Sequence, residues 1–228
     1  MPQSASPPAF TAVLFGLSGC LVDFGARAAS LAMQRLPSAV LQDGSALRSL
    51  DHAYAQQLQQ SARSQAEPTP GAMAILQALH EQGTPCAWLD ELPHEAGLQL
   101  AAELPHWLPA ISTAPQRPWP APDACWQALS ALQVERLDGC VLVSGEPRLL
   151  QAGLNAGLWT VGLAACGSLG GHALADWQAL DSQQRDLLRA EATLALYRMG
   201  AHSVIDQLSD LRPCLDDLAA RRGKGEKP

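Results

Sequence analysis

Lysine is almost missing from this chain. The 228 residues include lysine only at positions 224 and 227, in the charged tail that ends the sequence. The body of the chain must therefore carry its positive charge on arginine, which binds anions well but does not form a Schiff base with a carbonyl compound under ordinary conditions. This absence argues against lysine-based covalent catalysis in the folded body.

Long apolar runs, net positive charge and paired cysteine motifs are also lacking. The formal net charge of −7 argues against nucleic acid or an anionic membrane surface as a partner. No apolar run approaches the roughly 20 residues that span a bilayer. Met1–Pro8 has no basic region followed by an apolar stretch, so we predict no signal peptide and a cytoplasmic protein. The six cysteines show no CxxC spacing, which favours buried free thiols over disulfides or a zinc site.

Short apolar segments alternate with segments of helical periodicity. With 47% hydrophobic and 16% charged residues, the chain can bury a sizeable core. Four segments bounded by Gly, Pro or Asp predict buried strands: 12–15, 86–89, 140–143 and 159–163. Four more predict helices: 71–82, 94–103, 123–132 and 147–156. This alternation predicts an α/β fold with a parallel sheet flanked by helices, and ligand sites beyond the C-terminal strand ends.

Residues 26–66 interrupt this alternation. They are rich in Ala, Gln and Leu, they contain no strand signal, and Pro37 separates two predicted helices. We predict an inserted helical cap over 26–66 and a core formed by 1–25 and 67–228. The C-terminal region of the core predicts two amphipathic helices with Gly200 between them.

Several segments carry a family resemblance. Residues 12–25, AVLFGLSGCLVDFG, resemble the first motif of the haloacid dehalogenase (HAD) superfamily. Residues 153–162, GLNAGLWTVG, are similar to the fourth-motif helix and following strand of phosphonoacetaldehyde hydrolase (phosphonatase). Arg117–Pro120 resembles the third-motif loop of that family, and Gly200–His202 resembles the start of its C-terminal extension. The resemblance implies a HAD-like Rossmannoid core with a small helical cap inserted after the first strand.

The resemblance also implies a catalytic apparatus that this chain does not carry. In active members a strand-end aspartate attacks phosphorus, Mg²⁺ held by acidic residues neutralises the phosphoryl oxygens, and a cap lysine forms a Schiff base. Here Gly16 takes the nucleophile position, and Gly145 and Leu149 take the two acidic positions of the fourth motif. The cap has no lysine, and residues 86–91 hold no Ser or Thr to contact the phosphoryl group.

These departures predict a catalytically inactive phosphonatase-like protein that holds no Mg²⁺ and binds a small anion or a protein partner. Arg117 is the one phosphoryl contact that the resemblance retains. Backbone N–H groups of the first-motif loop could complete an anion site formed by Gly16, Leu17, Ser18, Gly19 and Cys20. Ser18 stands where most HAD phosphatases place a general acid/base, but phosphonatases lack that acid.

Two other functions stay open. Asp90, Glu91 and Glu146 lie at or just past predicted strand ends, where they could form a relocated carboxylate cluster in an active HAD-type hydrolase. They could equally be helix N-terminal acids favoured by the helix dipole, while Asp23 is expected to cap or brace the first-motif loop. The other possibility is an interaction or dimerisation module, which a cleft plugged by Trp88 or Trp119 would favour.

The predicted cap also bears on assembly. The resemblance implies dimerisation through the cap, and a small two-helix unit with apolar faces and few charges can hardly bury those faces alone. We therefore expect a homodimer to which four cap residues contribute: Leu31, Leu50, Tyr54 and Leu58.

Overall fold

The computed structural model describes residues 10–36, 47–111 and 117–228, and of residues 47–50 it describes the backbone alone. Within these ranges five parallel strands form one sheet in the order β2-β1-β3-β4-β5. The strands are β1 Ala12–Gly16, β2 Cys86–Leu89, β3 Cys140–Ser144, β4 Trp159–Leu163 and β5 Ser203–Ile205. The helices are α1 Ala28–Gln34, α2 Leu47–Ser64, α3 Ala72–Glu81, α4 His94–Leu100, α5 Asp123–Ala131, α6 Pro147–Asn155, α7 Leu174–Ala179, α8 Ser182–Met199 and α9 Leu211–Gly223, with a 3₁₀ turn at Leu208–Asp210.

The sheet is buried on both faces. Side chains of β1 alternate between two core clusters, with Val13 and Phe15 in one and Ala12 and Leu14 in the other. This alternation follows from the two-residue period of a strand. Because both faces are covered, the strand reads in the sequence as a continuous apolar run. The arrangement confirms the predicted α/β fold class with its parallel sheet and flanking helices.

The C-terminal region differs from the predicted pair of helices. Helix α8 ends at Gly200, whose φ of 105° is left-handed. The short strand β5 then pairs with the edge of β4, with Ser203 opposite Val161, before the 3₁₀ turn and α9 follow. A strand of three residues is too short to show an alternating pattern, so periodicity did not reveal it.

Helices α1 and α2 lie in the segment predicted as a cap, while residues 37–46 lie outside the described ranges of the chain. Helix α2 packs against core helix α4 through polar contacts. Gln59 Nε2 donates to Glu95 Oε2 at 2.7 Å, and Arg63 Nε donates to Gln99 Oε1 at 2.8 Å. These two hydrogen bonds hold α2 against the core.

The residues predicted for a cap dimer have different surroundings. Leu58 is fully buried in the core, Tyr54 packs partly buried against the same cluster, and Leu31 is half-buried. The side chain of Leu50 lies outside the described residues. Leu58 therefore cannot reach a second copy while α2 is packed, which corrects its place in the expected interface. The cap homodimer itself stays a prediction.

Two further sequence-based predictions concern the cysteines and membranes. All six cysteines are buried and free, as predicted. In the described ranges, no helix combines the length and the apolar character needed to cross a bilayer.

Candidate functional site

The loop after β1 starts at the C-terminal end of the sheet, where parallel sheets place their ligand sites. Its backbone amides already have acceptors within the chain. Three of them donate to main-chain carbonyl oxygens: Leu17 N to Leu89 O at 3.0 Å, Gly19 N to Val22 O at 2.9 Å and Cys20 N to Leu17 O at 3.3 Å. Ser18 N donates to Asp90 Oδ2 at 3.2 Å. Of these four amides, only that of Ser18 is held by a side chain that could move aside for a ligand.

Gly16 ends β1 at the position that the resemblance gives to a nucleophile. A Cβ built there would lie 2.7 Å from Ser144 Oγ and 3.4 Å from Leu149 Cδ2. Ser144, the last residue of β3, is fully buried, and its Oγ accepts a hydrogen bond from Glu146 N at 2.9 Å. The Ser144 side chain therefore fills the space that a side chain at position 16 would enter.

The two expected acidic positions of the fourth motif are closed as well. A Cβ on Gly145 would lie 2.3 Å from Gly19 O and 2.4 Å from Gly167 Cα, both of them backbone atoms. Leu149 is fully buried in the core between the sheet and its helices. An acidic side chain could enter position 145 only if two loops moved apart.

Asp23 braces the loop after β1, as predicted. It is 1% exposed and adopts a left-handed φ of 56°. Its carboxylate accepts hydrogen bonds from Ser18 Oγ at 2.7 Å, Arg27 N at 2.9 Å and Ala28 N at 3.0 Å. Burial raises the pKa of the Asp23 carboxyl, although these hydrogen bonds oppose the rise. The contacts tie the loop to the start of α1.

A cleft of about 250 Å³ opens at the C-terminal strand ends. Its charged lining consists of Asp90, Glu91, Glu146 and Arg148, and Trp119 lies in its apolar wall. Three carboxyl groups thus share the described lining with one guanidinium group. This excess of negative charge disfavours the binding of an anion. The predicted anion site considered only the carboxylates absent at Gly16 and Gly145 and not these three acids.

Asp90 directly follows β2, in the segment 86–91 that holds no Ser or Thr. Its Oδ1 accepts a hydrogen bond from Leu92 N at 2.8 Å, and its Oδ2 accepts the one from Ser18 N. Burial raises the pKa of Asp90 to about 6, and the nearby Asp23 adds to the rise. The Asp90 carboxylate therefore accepts the hydrogen bond of the Ser18 amide, and a ligand could bind this amide only by displacing the carboxylate.

Glu91, Arg148 and Trp119 connect the ends of β2 and β3. Glu91 Oε1 accepts a hydrogen bond from Trp119 N at 2.6 Å, and Glu91 Oε2 accepts one from Arg148 Nη1 at 2.9 Å. Arg148 Nη2 donates to the Trp119 carbonyl oxygen. These bonds hold the backbone of Trp119, whose side chain is only 7% exposed, against the cleft.

Glu146 acts as the N-cap of α6. Its Oε1 accepts a hydrogen bond from Arg148 N at 3.2 Å, and its Oε2 accepts one from Ser168 Oγ at 3.0 Å. A carboxylate is favoured at this end of a helix by the exposed N–H groups and by the helix dipole. The expected alternative of a helix N-terminal acid is therefore confirmed for Glu146.

The resemblance implies Mg²⁺, which prefers several oxygen ligands, mostly carboxylates and water. Gly16, Gly145 and Leu149 offer no side-chain oxygen. The acids of the cleft already bind amide, hydroxyl or guanidinium donors. Within the described ranges, no group of three or more His, Cys, Asp and Glu residues could hold a metal ion. The donor set does not fit a bound Mg²⁺.

Arg117 has a different partner from the predicted anion. Its guanidinium donates to Asp123 Oδ1 at 3.0 and 3.1 Å, and its side chain is 65% exposed. It is not among the described residues that line the cleft, where the arginine is Arg148. An anion contact at Arg117 stays a prediction, and it would require this ion pair to open.

Cys20 is also placed by the structure. Its Sγ donates to Val143 O at 3.4 Å, and burial raises the pKa of the thiol. A buried, protonated thiol is a poor nucleophile. Cys20 is therefore a packing residue, as the more favoured sequence interpretation held.

Sequence reasoning did not single out Ser144 or Arg148. A usable signal existed, because Ser144 directly follows the predicted strand 140–143 and Arg148 stands in the first turn of the predicted helix 147–156. Applying the strand-end rule to every polar residue at these positions would have selected both.

No protein-family model matches the chain, but its sequence is similar to that of curated proteins. Phosphonoacetaldehyde hydrolase of Aeromonas hydrophila subsp. hydrophila is 33% identical over 174 residues, which cover 72% of this chain and 61% of that protein. The chain thus spans about three fifths of the length of the curated relatives it matches.

Solved structures agree over a longer stretch of the chain. One is 51% identical and covers 96% of this chain and 100% of its own, with a TM-score of 0.80. A phosphonoacetaldehyde hydrolase like protein from Oleispira antarctica is 24% identical and shares the fold, with a TM-score of 0.86 over 98% of this chain and 97% of its own. The chain is phosphonatase-like in sequence and HAD-like in fold.

Proposed function

We propose that this protein is a non-catalytic phosphonatase-like protein that acts by contact with a protein partner. The observation that carries the proposal is the end of β1, where Gly16 offers no nucleophile and Ser144 Oγ would lie 2.7 Å from any Cβ placed there. Loss of a catalytic nucleophile typically lowers the rate by about 10⁶ in well-studied hydrolases.

Independent features support the same proposal. Backbone atoms close position 145, and Leu149 is committed to the core. The segment 26–66 contains no lysine that could form a Schiff base with an aldehyde. Nucleophile, metal ligands and carbonyl activation would all have to be supplied by other residues.

A protein partner is favoured over the predicted small anion. The amides from Leu17 to Cys20 are engaged, Arg117 is paired with Asp123, and carboxylates outnumber the guanidinium in the cleft. Trp119 lines the wall of the cleft but does not fill it, so support for a partner comes from the engaged amides and the charge balance rather than from a plugged cleft. We also infer a reducing, cytoplasmic location, because all six cysteines are free.

The decisive experiment is a turnover assay with phosphonoacetaldehyde and Mg²⁺, run beside the Aeromonas hydrophila enzyme as a positive control. We expect no hydrolysis by this protein above the uncatalysed rate. Thermal-shift measurements with phosphate on the same sample test the anion alternative. Turnover would contradict the proposal, and a saturable rise in melting temperature with phosphate would favour a small-anion ligand over a protein partner.

A second candidate is an active HAD-type hydrolase that uses relocated carboxylates. Two observations favour it: the relatives carry hydrolase names, and the pKa of Asp90 in the cleft is raised to about 6, close to the working range of a general acid or base. A phosphatase substrate screen tests it. Activity abolished by Asp90→Asn, Asp23→Asn or Glu146→Gln but retained in Glu95→Gln would establish this candidate.

A further inference from the structure

Helix α8 carries apolar side chains on two opposite faces. Its inner face buries Ala192 and Leu196 against the core. Its outer face exposes Leu187, Leu194 and Tyr197, with 62%, 50% and 50% of their surface open to solvent. A helix that is apolar on both sides is characteristic of an element buried on both sides.

The exposed residues form one continuous stripe. Leu187, Ala190, Leu194 and Tyr197 are all exposed and are spaced by three, four and three residues. This spacing places them in a row along one side of the helix, in the pattern of a helix–helix seam. The stripe, defined by these four residues, is an apolar helix face that the rest of the described chain leaves uncovered.

The charges beside the stripe specify the occupant. Glu191 and Arg198 are exposed on the same flank, two turns apart, and within the described residues neither forms an ion pair. Side chains lean towards the N-terminus of their own helix. In an antiparallel pair, Arg198 therefore leans towards the partner's Glu191, while the two Glu191 side chains lean apart.

We propose that two copies of this chain associate through α8, with the helices antiparallel about a two-fold axis near residue 192. Leu187 then packs on the partner's Tyr197, and Ala190 on the partner's Leu194. The ion pair between Glu191 and the partner's Arg198 forms twice. A two-fold interface requires such a self-complementary surface.

The size of the surface sets the expected strength. A helix of 18 residues is about 27 Å long, and a single helix pair buries less than the roughly 1,600 Å² of a typical stable interface. We therefore expect the α8 contact to be reversible and to dissociate on dilution in the micromolar range, independently of any association through the predicted cap.

Light scattering over a concentration series from low micromolar to hundreds of micromolar tests the pairing. We expect Leu194→Glu to weaken the dimer at least tenfold, because it places two charges in the seam. Leu137→Glu is the matched control, because Leu137 is 47% exposed and belongs to the loop before β3 rather than to α8. Leu31→Glu tests the predicted cap interface in parallel.

A charge exchange tests the antiparallel register. Glu191→Arg and Arg198→Glu should each weaken the dimer, and the double variant should recover wild-type affinity because it restores both ion pairs in reverse. Recovery of affinity in the double variant supports the proposal. Three results would overturn the proposal: a wild type that is monomeric at the highest concentration, an association that Leu194→Glu does not weaken, or a double variant that does not recover. Circular dichroism on each variant excludes loss of folding, and none of these outcomes depends on whether the protein is catalytic.

Discussion

The two sides of the cleft exclude the catalytic side chains implied by the resemblance by different physical means. At the ends of β1 and β3, Gly16, Ser144 and Gly145 fill the space with tightly packed atoms. At the end of β2, Asp90 and Glu91 fill it with carboxylates that accept hydrogen bonds from backbone amides and from Arg148. We refer to these as the packed side and the charged side.

The comparison separates two kinds of change. On the packed side the obstacle is steric and independent of pH, because it consists of backbone and buried side-chain atoms. On the charged side the obstacle depends on the ionisation of Asp90, whose pKa of about 6 lies near neutrality. A ligand could displace a carboxylate from an amide more readily than it could push two backbone segments away from each other.

Gly145→Ala should have the largest effect, because its Cβ would meet the Gly19 carbonyl oxygen at 2.3 Å and neither backbone can yield locally. We expect the free energy of unfolding to fall by about 3 kcal/mol or more, at the upper end for overpacking. Urea denaturation measures it. Gly223→Ala is the matched control, because a Cβ there meets no atom within 4 Å. Equal effects of the two changes would show that position 145 is not closed.

Asp90→Asn should alter the pH dependence of stability. A carboxyl whose pKa rises from about 3.9 unfolded to about 6 folded binds its proton more tightly in the folded state. Its contribution is therefore favourable below about pH 4 and is lost as the pH rises through about 6, by about 3 kcal/mol, because one pKa unit corresponds to about 1.4 kcal/mol. The buried Asp23 acts in the same direction.

Urea denaturation of wild type and Asp90→Asn at pH values from 4 to 8 checks this window. The difference between the two unfolding free energies should change within it, whereas loss of one amide partner adds an offset that does not vary with pH. Glu135→Gln, which removes an exposed carboxylate, controls for net charge. A constant difference across the range would contradict the assignment to Asp90.

Gly16→Ala should be milder than Gly145→Ala, because the atom nearest to its Cβ belongs to the Ser144 side chain. We expect a loss of about 1–2 kcal/mol. In a Ser144→Ala background the same change should be less destabilising, since the 2.7 Å contact is removed. A double-mutant cycle by urea denaturation measures the coupling, and strictly additive effects would rule out this contact as the cause.

Arg117→Ala should have the smallest effect. The Arg117 side chain is 65% exposed, although its partner Asp123 is only 14% exposed, so we expect a loss of about 1 kcal/mol, the upper end for surface ion pairs. Any phosphate-induced shift in melting temperature should survive this change but fall in Arg148→Ala, because Arg148 lines the cleft. A phosphate shift lost in Arg117→Ala alone would restore the predicted anion contact at Arg117.

The sequence by itself determined the fold class and the place of the cleft. Buried parallel strands need apolar residues throughout, and helices need a period near 3.6, so strands such as 140–144 could be located within a residue. The absence of a carboxylate at Gly16 could also be recognised from the sequence, because it depends on residue identity alone. The brace at Asp23 followed from its position in a tight loop.

Tertiary structure alone decided which side chains meet at the cleft. Ser144 and Gly16 are 128 positions apart, and their contact arises because β1 and β3 are neighbours in the sheet. The capture of the Ser18 amide by Asp90 likewise joins residues 72 positions apart. Local sequence patterns indicate periodicity and turns. These contacts instead depend on the exact separation of segments that are distant in the sequence and that only folding brings together.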